Sequence, residues 1–207
     1  MRLGWAKGDE EIIAPDDMIA WFGFDGMNKA ASRFDFAKLE ALNGHYIRQA
    51  GDAELMSHIE RILPEIDGGE AIAAKLINDD KRAKVQAALP LLKERAKTLI
   101  ELIEGAAFVY DNRPFALTDK AVSILNEEAK ERLSKLVDQL TTVQNWNYDE
   151  LDSSMRAFLE ANELKLGKVG PALRCALTGT TNAPGIYEVL ELLGRDESLA
   201  RIKDQLK

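Results

Sequence analysis

Few side chains in this sequence could carry covalent chemistry. Two histidines, His45 and His58, and a single cysteine, Cys175, are too few for a convincing zinc site. No serine or cysteine stands at a recognisable spacing from a histidine, so no activated nucleophile can be drawn. Leu177-Thr178-Gly179-Thr180 has neither the spacing nor the lysine of a phosphate-binding loop. Neighbouring acids such as Asp9, Glu10 and Glu11, or Asp79 and Asp80, read as solvated helix ends rather than catalytic pairs. What is left is recognition chemistry. An arginine offers a planar fork of N–H donors and keeps its charge at any working pH. Arg174 sits on a helical pattern that leads into a polar loop, within reach of the loop's open end. Lys93, Arg95 and Lys97 fall close together in LLKERAKTLIEL. On spacing alone, this second group is a solvated helix face.

Those residues have to be positioned by helices. The stretch PALRCALTGTTNAPGIYEVLELL reads as two short helices joined by a loop. Pro171 suits a first helical turn, where a missing N–H costs nothing. Leu173, Ala176 and Leu177 follow at helical spacing, Cys175 among them as a small core residue. Gly179 ends that run, and Thr180, Thr181 and Asn182 are loop formers. Pro184 starts a second helix with the stripe Ile186, Val189, Leu190 and Leu193. Gly194 stops it.

Upstream, the pattern predicts helices over Asp16–Phe22 and residues 33–48. Asp35 is the N-cap of the latter, and Phe36, Leu39, Asn43, Tyr46 and Ile47 share one buried face. Further helices are predicted over Asp52–Leu63 and Gly69–Ile77. Lys81–Leu89 follows, capped by Asp79 or Asp80, and Pro90 introduces Leu91–Ile103. In that last helix Leu92, Ala96, Leu99, Ile100 and Ile103 turn inward. Residues 104–116 read as irregular and as a domain boundary. From an N-cap at Thr118, one helix carries Val122, Leu125, Ala129, Leu133, Leu136 and Leu140 as a single stripe. Asn147 with Glu150 resembles a capping box ahead of Leu151, Met155, Phe158 and Leu159. Residues 197–206 close the fold, with Leu199, Ile202 and Leu206 inward.

The composition agrees with this reading. The 207 residues are 46% hydrophobic and 30% charged, which suits a globular chain with a sizeable core. Leu, Ala, Glu, Lys and Arg recur and β-branched runs are scarce, so the fold class is all-α. No apolar run approaches the ~20 residues of a membrane span. The N-terminus is not signal-like, and a lone cysteine fits a reducing cytosol. A net charge of −8 argues against a general nucleic-acid coat. It leaves room for one local recognition surface.

Three motifs together resemble bacterial glutamyl-tRNA synthetase in its C-terminal region. Pro171, Leu173, Arg174, Ala176, Leu177, Thr178 and Gly179, then Pro184, Gly185, Ile186, Tyr187, Glu188, Leu190, Leu193 and Gly194, match the anticodon-binding domain. Phe34, Asp35, Lys38, Leu39, Leu42, Asn43 and Tyr46 match the helix of the domain that contacts the tRNA stem. Arg2, Leu3, Gly4, Trp5, Gly8, Asp9 and Glu11 match the segment that follows the catalytic domain, so the chain reads as a fragment, with Leu3 and Trp5 as the tail of a helix.

The resemblance implies a helical bundle or cage of two consecutive helical subdomains. Residues 1–115 would contact the stem and residues 116–207 would read the anticodon. It assigns RNA contacts to Arg95, for the third anticodon base, and to Arg174 with the loop around Pro184, Gly185 and Ile186, for the first and second. Ala183 departs from a threonine common at that position, which removes any hydroxyl contact there. The resemblance also implies tRNA(Glu) as partner, an absent N-terminal catalytic domain, and a monomer in the cytoplasm. ATP and magnesium belong to the intact enzyme, whose H-x-G-H and K-M-S-K-S segments do not occur here; this chain alone should not activate an amino acid. The alternative is a helical protein-interaction module without RNA binding.

Overall fold

Helix formation begins where an acidic first turn follows a proline. In the computed structural model, which describes residues 5, 7, 8, 10–27 and 34–207, α1 spans Pro15–Trp21 and a 3-10 turn follows at Phe24–Gly26. The matched residues Arg2, Leu3, Gly4 and Asp9, with Arg33 at the start of the second predicted helix, lie outside the described residues. Trp5 is not the tail of a helix. It forms an isolated bridge with Met27, and its indole N–H donates to the Gly23 carbonyl at 3.0 Å.

The remaining helices are α2 (Phe36–Gln49), α3 (Asp52–Ile62), α4 (Gly69–Leu76), α5 (Asp79–Leu92), α6 (Leu99–Gly105), α7 (Ala107–Tyr110), α8 (Asp119–Ile124), α9 (Glu127–Thr141), α10 (Tyr148–Ala161), α11 (Leu166–Thr178), α12 (Ile186–Leu193) and α13 (Arg195–Asp204). Every named element among the described residues is helical, so the fold is all-α. One apolar core runs from Ile47 on α2 to Ile202 on α13.

Local chemistry explains where the helices stop, and several boundaries differ from the sequence expectation. Asp35, Thr118 and Asn147 cap α2, α8 and α10 as expected, each accepting from the backbone N–H three residues on. At α5 the cap is Asn78, which accepts from Lys81 N, not Asp79 or Asp80. The single helix expected from Thr118 onward is two. Asn126 caps α9 by accepting from Ala129 N at 3.0 Å, and that capping turn breaks the stripe. Val122 is exposed as a result.

Two of the prolines expected to start helices lie within them instead. Pro90 and Pro171 lie inside α5 and α11. Each costs one hydrogen bond to the carbonyl four residues back. Burial of Val85, Ala88, Leu89 and Leu92 on α5, and of Val169, Ala172, Leu173 and Cys175 on α11, offsets that loss. Residues 104–116 are not wholly irregular, because α7 buries Phe108, Val109 and Tyr110.

The face expected to be buried on α2 is mostly exposed. Phe36 is 73% and Leu39 48% exposed. The first half of the helix is tied by ion pairs of Lys38 with Glu11 and Glu40 with Lys97, while in the second half Ile47 joins the core and Gly44 lies against Ala96 and Lys97.

Candidate nucleic-acid interface

Arg95 does not ride on a helix. The expected helix from Leu91 ends at Leu92 with α5, and residues 93–98 turn before α6 begins. The stop is written into the next helix. Thr98 accepts from Glu101 N at 3.1 Å, while the Glu101 carboxylate accepts from Lys97 N at 2.6 Å. This is a capping box whose carboxylate takes the N–H one residue before the N-cap, and its T-x-x-E signature stands at Thr98 and Glu101 in the sequence. It also explains why Ile100 faces outward, 42% exposed, against expectation.

Helix α2 braces this turn from outside. Asn43 Nδ2 donates to the Lys97 carbonyl at 2.5 Å, and Lys97 Nζ pairs with Glu40 at 3.2 Å. Gly44 lies against the same turn: a Cβ there would sit 3.4 Å from the Ala96 carbonyl oxygen.

The second wall of the site is the loop between α11 and α12. Gly179 takes φ +75° as the C-cap of α11, a conformation that side chains disfavour. Its carbonyl accepts from Thr118 N at 3.0 Å. Thr178 Oγ1 donates to the Arg174 carbonyl at 2.8 Å and also approaches the Thr180 carbonyl at 3.1 Å. Asn182 N donates to Thr180 Oγ1 at 3.1 Å. Short hydroxyl-mediated turns of this kind hold a loop in shape without regular structure. Ala183 and Pro184 are buried, and Gly185 and Ile186 are half-buried. Pro184 precedes α12 rather than starting it. Gly185 is the N-cap, and the Glu188 carboxylate fills the space a Cβ on Gly185 would need.

The two walls meet. Arg95 Nη1 donates to the Ala183 carbonyl at 3.2 Å across 88 residues of sequence. Around this contact lies a cleft of ≈ 660 Å³ whose lining includes Arg95, Lys97, Thr178, Thr180, Asn182 and Pro184. Glu104 and Phe115 stand on the same cleft. An arginine fork, loop backbone groups, carboxylates (Glu101 and Asp111 also line the cleft) and an aromatic ring are groups that can hydrogen-bond and stack an unstacked base.

Arg174 is placed differently. It does not line this cleft. It lies on the last turns of α11, half-buried, and its Nε is a buried donor without a hydrogen-bond partner. A buried unpaired donor is costly, and the rest of this half-buried side chain carries the other N–H groups of the fork. Cys175, next to it, is fully buried, and burial pushes its thiol up, as expected of a core residue.

Sequence reasoning missed Arg201. Arg201 is 2% exposed. It donates to the Leu177 carbonyl at 2.7 Å, pairs with Glu197 at 2.7 Å and lies 4.9 Å from the Phe115 ring centroid. It thereby fixes the end of α11 and one aromatic wall of the cleft. No local signal separates such an arginine from a charge on a solvated helix.

A family model described as "Anticodon binding domain" matches residues 54–206. A glutamate–tRNA ligase of Bradyrhizobium sp. is 50% identical over 205 residues, covering 99% of this chain and 43% of that relative. A protein named glutamate–tRNA ligase 2, of Brucella ovis, is 50% identical over 207 residues and is likewise covered over 43% of its length. The chain thus spans less than half the length of these curated relatives. Among solved structures, a glutamate tRNA ligase from Elizabethkingia meningosepticum in complex with its amino acid superposes with a TM-score of 0.77 at 24% identity. The overlap covers 99% of this chain and 39% of that one, and it shows a shared fold.

Proposed function

The chain belongs to the anticodon binding domain family, and from that premise we propose that it reads the anticodon of tRNA(Glu) as part of a glutamate–tRNA ligase. The observation that carries this reading is the hydrogen bond from Arg95 to the Ala183 carbonyl. It unites two segments, each carrying candidate reading groups, in one cleft. Arg95 reads the third anticodon base from the turn before α6. Arg174 and the backbone around Pro184, Gly185 and Ile186 read the first and second. The Ala183 side chain is buried, so this position acts through its carbonyl. Residues 1–115 contribute stem contacts and residues 116–207 the anticodon cage, with Arg95 reaching from the first part to the second.

Joining glutamate to tRNA with ATP and magnesium is the activity proposed for a protein of the relatives' full length, acting as a monomer in the cytoplasm. Among the described residues, no group of three or more His, Cys, Asp or Glu could hold a metal ion. No described helix is long and apolar enough to cross a membrane.

The test is a fluorescence-anisotropy titration with anticodon stem-loops. A glutamate anticodon is compared with the same stem bearing an unrelated one, at low and moderate salt. Tighter binding to the glutamate anticodon, by roughly tenfold or more, supports the reading. Equal binding by a demonstrably folded chain refutes it.

A further inference from the structure

Arg95 and the Ala183–Pro184 loop are tied to each other before any RNA arrives. Arg95 Nη1 spends one of the guanidinium's five N–H groups on the Ala183 carbonyl, and the remaining fork stays on an exposed side chain. Neither partner lies in a helix. Arg95 stands in a turn between two helices, and Ala183 lies in a loop held by threonine-mediated turns. Each is anchored on its far side: the turn by Asn43 and the Thr98–Glu101 capping box, the loop by Thr118 on Gly179. The clasp is the direct link between these two anchored pieces.

We propose that the Arg95–Ala183 hydrogen bond makes the two reading segments a single unit, so that recognition of the second and third anticodon bases is energetically coupled. The inference rests on the anticodon-reading function proposed above. The Ala183 carbonyl orients the guanidinium for one base, and the guanidinium in turn holds the loop that presents backbone groups to the neighbouring base. Coupling of this kind is expected of residues that share one hydrogen-bond network. Removing Arg95 should therefore damage reading at a base that Arg95 need not touch.

The experiment uses the 207-residue chain, Arg95→Ala, and Lys84→Ala as a charge-matched control on an exposed pair with Asp80. Stem-loops carry the glutamate anticodon or a single change at its second or third base. Arg95→Ala should lose about tenfold in third-base discrimination and also about threefold or more at the second base. Lys84→Ala should keep both ratios. Hydrogen exchange without RNA supplies the readout that a direct contact to both bases would not move. In Arg95→Ala, the amides of residues 180–183 and 185 should exchange at least about threefold faster, with helical content unchanged. Unaltered second-base discrimination, or unaltered loop exchange, overturns the coupling while leaving anticodon reading intact. Failure of the unsubstituted chain to discriminate at either base overturns both.

Discussion

At the scale of single residues, two arginines of the same charge play opposite parts. Arg201 is buried and fully engaged, by Leu177, Glu197 and Phe115. Arg174 has its Nε buried with nothing to donate to. A buried donor left unpaired costs folding free energy, while the other N–H groups of this half-buried guanidinium are kept for an outside acceptor. Arg174→Ala should therefore weaken binding of the glutamate anticodon stem-loop by about 1–3 kcal/mol. Its effect on stability should stay below about 1 kcal/mol, because no hydrogen bond is lost. Anisotropy and thermal melting of the same preparation check both halves. A large loss of stability would mean that Arg174 supports the fold instead.

At the scale of elements, the site depends on how helices end. The capping box at Thr98 and Glu101 stops α5 from running on and leaves Arg95 in a turn. Thr98→Ala should cost about 1 kcal/mol in denaturant unfolding, and it should reduce third-base discrimination with Arg95 untouched. A second element-level device is the ionic cluster that fastens α13 to the segment before α8. Arg113 pairs with Glu197 at 3.0 Å and with Asp204 at 2.9 Å. Burial pushes the Glu197 carboxyl up, but Arg201 and Arg113 outweigh it and hold it below its ordinary range. Hydrogen bonds from Lys207 and Arg113 hold the Asp204 carboxyl low. Both groups therefore ionise more readily folded than unfolded. Their contribution is complete above the unfolded value, near pH 4, and is lost as pH falls through the lower folded values. Melting curves from about pH 6 to pH 3 should show a decline below about pH 4. Glu197→Gln should start from a lower melting temperature at neutral pH and lose less over that range.

These elements also show what the sequence discloses. Apolar spacing found α9 to α13 and most of their buried residues, because burial of one face repeats every turn. It misplaced Pro90 and Pro171, since tertiary burial outweighed a local rule about proline. It ran α8 into α9 because the stripe continues past Asn126, and only the cap reveals the break. The site was legible in part: Arg95, Arg174 and the Pro184 loop were marked by motif. The contact of Arg95 with Ala183 joins residues 88 apart, and no spacing rule carries that information.

At the scale of the whole molecule, a net charge of −8 sets the terms of any RNA interaction. Long-range attraction for phosphates is absent, so binding rests on a few placed groups rather than on a basic surface. The cleft has this mixed character, with Arg95 and Lys97 in a lining that also holds Glu101, Glu104 and Asp111. Away from it, the first part of the chain exposes large apolar side chains, including Ile19, Phe24 and Phe36 at 77%, 81% and 73%. An apolar docking surface is the rival location for any binding event.

Hydrogen exchange with and without a glutamate anticodon stem-loop decides between these locations. The account predicts slower exchange at residues 93–98 and 178–186, the two walls joined by Arg95 and Ala183, with α1 and the first half of α2 unchanged. Protection confined to α1 and α2, with the cleft unaffected, would contradict it.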